Sequence, residues 1–411
     1  MKRLALFLLF CFSTAAADDT PAATLSKWLE KFPEADLDGD RALSEKEVKA
    51  QKEKLRNERK GTPHTNKPPT AGGAPREYPV DPGWDEPDFP EHAVSHRSPE
   101  EIAEIYKKQI KKGPAVVSFE KPADGALRII GTGHSFMAPG YWALPKITVA
   151  AGFAEQPLYT HTGGGITGSA RYKWEQENGI FEFDGKPKPK LLASISNAEW
   201  DVMMWGPYFN ERPEYYSSWI DFALRYQPEM KFYLSDAWPQ LYQLGDERPD
   251  SENLFTEKIF ERIGKEKREG YSGLIETLRE SYPERVFILP TSDAMTLAAK
   301  AYLRGELPGV EGINRIIGGK ERSLWRDELG HLGPGFERLE GYVFFATLYG
   351  QSPEKIEGDI PFGASPKMNQ AGYPTEQLDR ILRRIAWEAV VGHRLSGVTD
   401  KNGDGLADAP E

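Results

Sequence analysis

The sequence is nearly without cysteine. Its one cysteine among 411 residues, Cys11, lies within the first 17 residues. Residues 1–17 have the features of a secretory signal peptide, with Lys2 and Arg3 before a short apolar stretch and small residues at the end. Removal of this segment leaves a chain with no disulfide, no thiolate metal ligand and no cysteine nucleophile. We therefore expect a secreted or periplasmic protein that side-chain packing and bound ions hold together.

Long apolar runs and basic stripes are also missing. The apolar part of the signal is too short to span a bilayer and no later stretch is long enough, so no membrane span is expected. The net charge is −11 and no run of Lys and Arg alternates with aromatic residues, which disfavours nucleic acid as a partner. Seven scattered histidines offer few clustered ligands, which disfavours a histidine-based metal site.

Composition divides the chain into a small N-terminal module, a linker and a larger domain. Residues 24–60 combine two helical stretches with an acidic loop. Residues 61–95 are rich in Pro and Gly with little hydrophobic periodicity, as in an extended linker. The predicted larger domain covers residues 96–396, and residues 397–411 form an acidic tail.

Short apolar segments alternate with helical patterns across the larger domain. The predicted strands are 126–131, 147–152, 200–205, 231–235 and 286–290. The predicted helices include 214–226, 253–282, 292–304 and 374–396. This alternation predicts an α/β fold with a doubly wound, parallel, five-stranded sheet, and it places functional residues at the carboxyl ends of the strands.

The N-terminal module contains the acidic loop DLDGDRALSEKE at residues 36–47. Its oxygen ligands at loop positions 1, 3, 5, 7 (a backbone carbonyl) and 12 have the spacing of a calcium-binding loop, and they come from Asp36, Asp38, Asp40, Ala42 and Glu47. The segment resembles the EF-hand family, which implies Ca²⁺ as the bound ion. Arg41 replaces the glycine of position 6, so it has to adopt a positive φ at a cost of about 1 kcal/mol. The alternative is a solvated acidic turn between helices.

A second acidic loop, DKNGDGLADAPE at residues 400–411, repeats this pattern at the end of the sequence. Its candidate calcium ligands are Asp400, Asn402, Asp404 and Asp408. It resembles half of an EF-hand attached to the predicted helix 374–396. Because EF-hands usually work in pairs, the two loops could pair and tie the ends of the chain together. The alternative is a frayed polar tail.

The segment GTGHSF at residues 131–136 follows the first predicted strand of the larger domain and puts Ser135 on a strand-to-helix turn. It lacks the second glycine of a G-x-S-x-G elbow, because Met137 stands there. A serine after the first strand, with a glycine two residues before it, resembles the SGNH (GDSL-like) hydrolases, where this serine is the nucleophile. His134 stands where the family usually has Asp or Asn. The alternative is a tight glycine turn without a catalytic role.

Three later segments resemble the remaining blocks of the family, in the same order. HTGGGITG matches the glycine block, which implies that the backbone N–H of Gly164 donates to the oxyanion. WDVMMWGPYFN matches the third block and makes Asn210 a second donor, although its distance from the preceding glycine is two residues longer than usual. In RDELGH, Asp327 and His331 match the acid and base with one extra residue between them, and Glu328 is the alternative acid.

These blocks cover roughly residues 126–355 and imply a flavodoxin-like SGNH hydrolase fold. In such a site a histidine removes the proton of the serine, and a carboxylate fixes the tautomer of the histidine. We expect a secreted serine esterase for small acyl esters, such as acetyl groups on polysaccharide, with His134, His161 and Trp238 lining the rim. Two alternatives remain open: a non-catalytic carbohydrate-binding protein that keeps this fold, and a calcium-dependent adhesion or scaffold protein.

Overall fold

A computed structural model gives the fold of the chain. It describes residues 29, 33–37, 39–44, 46–47, 50, 122–133, 135–156, 158–162, 181–183, 186–188, 191, 194–195, 198–206, 213–362 and 372–409. These residues belong to two units, 1–67 and 68–411. The predicted signal peptide and linker lie outside the described residues, and so do Asp38, Gly164 and Asn210.

Five parallel strands form the central sheet of the larger unit. They are β1 (Ile129–Gly133), β2 (Leu158–Thr162), β3 (Val202–Trp205), β4 (Lys231–Ser235) and β5 (Val286–Leu289). The order across the sheet is β2-β1-β3-β4-β5, and Ile130 pairs with Tyr159 on one side and Met203 on the other. The chain therefore starts at an inner strand and winds in both directions, as in a flavodoxin-like fold. The predicted parallel five-stranded sheet is confirmed.

Helices connect the strands and cover the sheet. They are α1 (Ala138–Ala150), α2 (Pro213–Tyr226), α3 (Glu257–Ser281), α4 (Thr291–Leu303), α5 (Glu337–Tyr349) and α6 (Glu376–Gly392), with a single helical turn at Arg315–Gly318. Short 3-10 segments lie at Pro33–Ala35, Leu241–Glu247, Glu252–Leu254 and Pro353–Lys355. Two short strand pairs join Phe181–Phe183 to Lys186–Lys188 and Gly312–Asn314 to Ser323–Trp325. Among the described helices, none is long and apolar enough to cross a membrane.

Both faces of the sheet are buried, which explains why its strands read as continuous apolar runs. Neighbouring residues of β3 point into different cores. Met204 packs into the core that α1, α4, α5 and α6 form on one face. Met203 and Trp205 pack into the core that α2 and the second half of α3 form on the other face. The sheet is therefore doubly wound, as the alternation of segments predicted.

The predicted strand 147–152 is wrong, because its first residues form the last turn of α1. A short apolar run looks the same in a strand and in a buried helix. Here the run is apolar because α1 lies against α5: a Cβ on Gly341 would come within 2.4 Å of the Ala143 Cβ and 2.9 Å of the Ile147 Cδ1. The second strand is Leu158–Thr162 instead.

Strand β1 starts three residues later than predicted. The backbone N–H of Leu127 donates to the Tyr349 hydroxyl at 3.1 Å, and that of Arg128 donates to Asp201 Oδ2 at 2.8 Å. The N–H groups of these two residues therefore donate to side chains and not to the backbone carbonyls of a neighbouring strand. Regular pairing therefore begins at Ile129.

The C-terminal tail is docked onto the larger unit. The backbone N–H of Ser352 donates to the Gly405 carbonyl at 2.8 Å, and that of Ala407 donates to the Gly350 carbonyl at 2.7 Å. The indole N–H of Trp387 donates to Asp400 Oδ2 at 3.0 Å. The alternative of a frayed polar tail is therefore wrong for the described residues of this segment.

Candidate active site

The turn between β1 and α1 carries Ser135 at the carboxyl edge of the sheet. It begins at Gly133, whose φ is 149° and where a Cβ would come within 2.8 Å of the Met137 side chain and 3.2 Å of the Gly206 backbone. Only glycine fits both the dihedral angle and the space. Tyr141 of α1 donates its hydroxyl to the Thr132 carbonyl at 3.0 Å. The end of the strand and the start of the helix are thereby joined, and Ser135 is left exposed on the turn.

Ser135, His331 and Asp327 are in contact. Ser135 Oγ lies 2.8 Å from Nε2 of His331. Nδ1 of the same ring lies 2.8 Å from Asp327 Oδ2. The backbone N–H of His331 also donates to Asp327 Oδ1 at 3.1 Å, so the carboxylate binds its partner twice. The acid that contacts the histidine is Asp327, whereas Glu328, the predicted alternative, is exposed.

The charge of Asp327 decides the tautomer of the histidine. Burial alone would raise the pKa of Asp327, but the hydrogen bonds and charge of His331, with the charge of Arg326, outweigh burial and lower this pKa. The carboxylate is therefore ionised at neutral pH and can only accept hydrogen bonds. The Nδ1 proton of His331 points to Asp327, which leaves Nε2 free to accept the hydroxyl proton of Ser135.

Two aromatic side chains pack behind the histidine. The Phe136 ring meets the His331 ring nearly at a right angle, with centroids 5.2 Å apart, and lies 4.8 Å from the Trp238 ring. Trp238 is fully buried, and its indole N–H donates to the Gly330 carbonyl. The prediction that Trp238 lines the rim is therefore wrong: it supports the site from behind. His134 and the side chain of His161 lie outside the described residues.

The site is open to solvent on the serine side. The side chains of Asp327 and His331 are 24% and 16% exposed, and Ser135 is more exposed than either. A groove of about 430 Å³ lies between α1 and β2, and its lining includes Trp142 and Ala138, the latter three residues after Ser135 in the chain. The Ser135 hydroxyl is therefore accessible from solvent.

The two predicted oxyanion donors follow strands that end beside Ser135. In the register of the sheet, Gly133 pairs with Thr162 and Thr132 pairs with Trp205. The segments that hold Gly164 and Asn210 thus leave the sheet at the edge that carries the nucleophile. Both residues lie outside the described residues, and their roles stay predictions.

The first acidic loop binds its own backbone through its carboxylates. Asp36 accepts hydrogen bonds from the N–H of Gly39 at 2.7 Å and of Arg41 at 3.0 Å. Glu47 is buried and accepts from the N–H of Leu37 at 2.8 Å and of Ser44 at 2.9 Å. The positive φ predicted for Arg41 is confirmed at 63°. Among the residues that the structure describes, no three His, Cys, Asp or Glu side chains form a group that could hold a metal ion.

Sequence reasoning missed two side chains that hold the turn Asp327–His331. Gln240 donates from Nε2 to the Leu329 carbonyl at 2.8 Å, and Asn314 donates from Nδ2 to the Asp327 carbonyl at 3.2 Å. The available signal was position: Gln240 comes soon after β4, at the carboxyl edge where functional residues are expected.

Comparison with known proteins gives distant likenesses of fold only. No family model and no curated protein matches the chain. A DUF4886 family protein from Bacteroides uniformis is similar with a TM-score of 0.42 and 11% identity, over 64% of this chain and 94% of that one. A Streptococcus pneumonia protein, provisionally assigned as a platelet activating factor, has a TM-score of 0.32 and 13% identity over 61% and 94%.

A third solved structure is the periplasmic domain of a lipopolysaccharide acetyltransferase from Salmonella ser. Paratyphi A. Its TM-score is 0.28 and its identity 12%, over 59% of this chain and 94% of that one. At such TM-scores these likenesses say nothing about the chemistry of this chain, which rests on its own site.

Proposed function

We propose that this chain is a serine esterase of the SGNH type. The observation that carries the proposal is the continuous contact from Ser135 Oγ through His331 to the Asp327 carboxylate, with 2.8 Å at each step. This is the arrangement in which a hydroxyl, weak by itself, becomes a nucleophile. Its place after the first strand of a parallel sheet supports the resemblance of the GTGHSF segment to the SGNH hydrolases.

The proposed reaction proceeds through an acyl-serine. Ser135 Oγ attacks the carbonyl carbon of the ester while His331 Nε2 takes the hydroxyl proton, and the Asp327 carboxylate stabilises the resulting imidazolium. The bond from carbonyl carbon to alcohol oxygen then breaks, and His331 returns the proton to the leaving alcohol. Water, deprotonated by the same Nε2, then attacks the carbonyl carbon of the acyl-serine. The bond from this carbon to Ser135 Oγ breaks, His331 returns the proton to Oγ, and the carboxylic acid leaves.

The tetrahedral intermediates carry a negative oxygen that needs donors. We assign this role to the backbone N–H of Gly164 and the side-chain amide of Asn210, which follow β2 and β3. One such donor typically lowers the barrier by about 3–4 kcal/mol. Loss of the amide in Asn210→Ala should therefore reduce kcat strongly while Ser135 and His331 stay in place.

The proposed substrates are small acyl esters, such as acetyl groups, on secreted or cell-surface carbohydrate. The exposure of Ser135 supports this choice, because an ester carried on a large polymer can reach the hydroxyl without entering a deep channel. The groove between α1 and β2, lined by Ala138 and Trp142, is the candidate site for the rest of the substrate.

Hydrolysis of short-chain aryl esters tests the proposal. Ser135→Ala should abolish turnover and leave the melting temperature nearly unchanged, because it removes an exposed hydroxyl and no core volume. Ser251→Ala is the control, since that hydroxyl bonds Asn253 instead. Undiminished hydrolysis by Ser135→Ala would overturn the mechanism, and a wild type inactive on all acyl esters tested would favour a carbohydrate-binding protein.

We further propose that the first acidic loop binds calcium. The candidate donors of the loop are all oxygens, from Asp36, Asp38, Asp40 and Glu47 with the Ala42 carbonyl, and oxygen ligands suit Ca²⁺. Support comes from the left-handed backbone at Arg41, the conformation that position 6 of such a loop requires. Asp400, Asn402, Asp404 and Asp408 are the corresponding donors of the C-terminal loop.

Calorimetric titration with CaCl₂ tests calcium binding. The wild type should release or take up heat that Asp36→Ala/Glu47→Gln does not, and free calcium should stabilise the N-terminal unit by linkage. Replacement of Asp400 and Asp404 by alanine separates the contribution of the second loop. Equal heats from wild type and the Asp36→Ala/Glu47→Gln variant would show that the first loop is a solvated acidic turn.

A further inference from the structure

The turn Asp327–His331 brings the acid and the base together. At its base the backbone N–H of Arg326 donates to the His331 carbonyl at 2.9 Å, and the N–H of His331 donates to Asp327 Oδ1 at 3.1 Å. Its backbone bonds include one from the N–H of Gly330 to the Asp327 carbonyl, at 3.3 Å. Gly330 has a φ of 88°, and Leu329 is 57% exposed. The base of the turn is therefore closed by the backbone, whereas the position of its peptide units between Asp327 and Gly330 depends more on groups outside it.

Three buried side chains from outside the turn donate to three of its carbonyls. Trp238 donates from its indole to the Gly330 carbonyl. Gln240 donates from Nε2 to the Leu329 carbonyl at 2.8 Å. Asn314 donates from Nδ2 to the Asp327 carbonyl at 3.2 Å. Because each bond fixes the plane of one peptide unit, together they fix the backbone that sets the spacing of the Asp327 and His331 side chains.

Among the three, Gln240 has the smallest role outside the turn, where its Oε1 accepts a hydrogen bond from Lys267 Nζ at 3.3 Å. Trp238 is also a large core side chain, and the Asn314 Oδ1 also caps the helical turn Arg315–Gly318. The Gln240 side chain, which is 4% exposed, lies directly against Gly330: a Cβ on that glycine would be 3.1 Å from the Gln240 Cγ. Gln240→Leu removes both the bond to the turn and the acceptor of Lys267, whereas Gln240→Glu removes only the bond to the turn.

Lys267 sets which end of the Gln240 amide faces the turn. Its Nζ donates to Gln240 Oε1 at 3.3 Å and also lies 3.4 Å from the Tyr242 hydroxyl. An ammonium group has donors and no acceptor, so it faces the amide oxygen of Gln240 and not the amide nitrogen. The oxygen of Gln240 therefore stays toward Lys267, and its N–H group stays toward Leu329.

We infer that Gln240, oriented by Lys267, is a positioning residue that holds the Asp327–His331 turn in its catalytic geometry. The expected effect on kcat rests on the proposed esterase function. The expected effect on the position of the turn rests on the hydrogen bonds alone. Displacement of a catalytic group by about 1 Å can cost about 100-fold in rate. Gln240→Leu should thus lower kcat about 10- to 100-fold with KM nearly unchanged, because substrate contacts are untouched.

Gln227→Leu is the matched control. Gln227 is a half-buried glutamine. Its Nε2 also donates to backbone carbonyls, those of Ile195 at 2.9 Å and Ala198 at 2.5 Å. It lies just before β4, at the edge of the sheet opposite to Ser135. Both leucine variants lose hydrogen bonds from a side-chain amide to backbone carbonyls. If only Gln240→Leu affects the turn, a general loss of stability is not the cause. Gln240→Glu keeps the size of the side chain and its contact with Lys267 but presents an oxygen to the Leu329 carbonyl.

Two measurements on the full-length chain decide the inference. Hydrogen–deuterium exchange of the Gly330 and His331 amides should become about five- to tenfold faster in Gln240→Leu and Gln240→Glu, as for the loss of one hydrogen bond, and should not change in Gln227→Leu. The kcat for an aryl ester should fall in both Gln240 variants and stay at the wild-type value in Gln227→Leu.

The outcomes separate this inference from the proposed function. Exchange and kcat in the Gln240 variants that match those of Gln227→Leu would overturn the positioning role. A wild type without esterase activity would overturn the proposed function, and amide exchange would still decide whether Gln240 holds the turn. Faster exchange with an unchanged kcat would show that Gln240 is structural only and would also overturn the inference.

Discussion

Replacement of Asp327 by asparagine removes the charge that orients His331 and keeps the shape of the side chain. The carboxylate accepts two hydrogen bonds from His331, from the backbone N–H at Oδ1 and from Nδ1 at Oδ2. An asparagine offers one acceptor and one donor. If its oxygen keeps the backbone N–H, its NH₂ group faces Nδ1, and the ring proton moves to Nε2. A protonated Nε2 cannot take the proton of Ser135.

The expected loss follows from this tautomer. We expect kcat to fall about 10³- to 10⁴-fold, or about 4–5.5 kcal/mol of activation free energy, with KM little changed. Initial rates of aryl ester hydrolysis near pH 7, with melting curves to show that the fold is intact, measure the loss. Glu328→Gln is the control, because it makes the same change of charge at the adjacent, exposed position.

The two variants also separate the two candidate acids. A site built on Asp327 predicts a near-inactive Asp327→Asn and an unchanged Glu328→Gln. If Asp327→Asn keeps most of the wild-type rate while Glu328→Gln loses it, the assignment of the acid is wrong. If neither variant changes the rate, His331 does not act as a base oriented by either carboxylate.

Two further predictions concern stability. Burial raises the pKa of Glu337 to about 8 from 4.5, so the folded state binds the proton of this carboxyl group more tightly than the unfolded state does. The stability that the protonated group contributes below pH 4.5 is therefore lost as the pH rises to about 8. In urea denaturation, the free energy of unfolding of Glu337→Gln should therefore rise relative to that of the wild type by up to about 1.4 kcal/mol per pH unit in that window. A difference that does not change with pH would contradict a raised pKa of Glu337. Gly133→Ala should cost about 1–3 kcal/mol and lower kcat, because it combines a strained φ with crowding. Gly125→Ala, with a φ of 83° and open space around it, should cost less and leave kcat unchanged.

The sequence could predict the sheet from its own hydrophobic pattern, and the three contacting residues from the resemblance of their segments to the SGNH hydrolases. Buried parallel strands appear as short apolar runs, and their carboxyl ends meet at one edge. The resemblance of the RDELGH segment to a block of the family then related His331 to Ser135 across 196 residues. Asp327 and His331 are one residue further apart in the chain than the family's acid and base usually are. They are still in contact, because the turn places residues four apart side by side.

Other features could not be predicted, because they depend on contacts between distant segments. The run 147–152 was apolar enough for a strand, and only the contact of α1 with Gly341 shows why it is helical. Trp238 was expected at the rim since it follows a strand, but its indole had a partner at Gly330 that no sequence pattern shows. The same holds for Gln240, which is an ordinary polar residue until the turn lies against it.

Reaction with a fluorophosphonate probe tests the central claim most directly, because the probe forms a covalent bond only with an activated nucleophile. Intact-mass measurement should show one adduct on the wild type, and peptide mapping should place it on Ser135. His331→Ala should react far more slowly, since the base that contacts Ser135 Oγ is gone. No adduct on the folded wild type, or an adduct on a residue other than Ser135, would contradict the account.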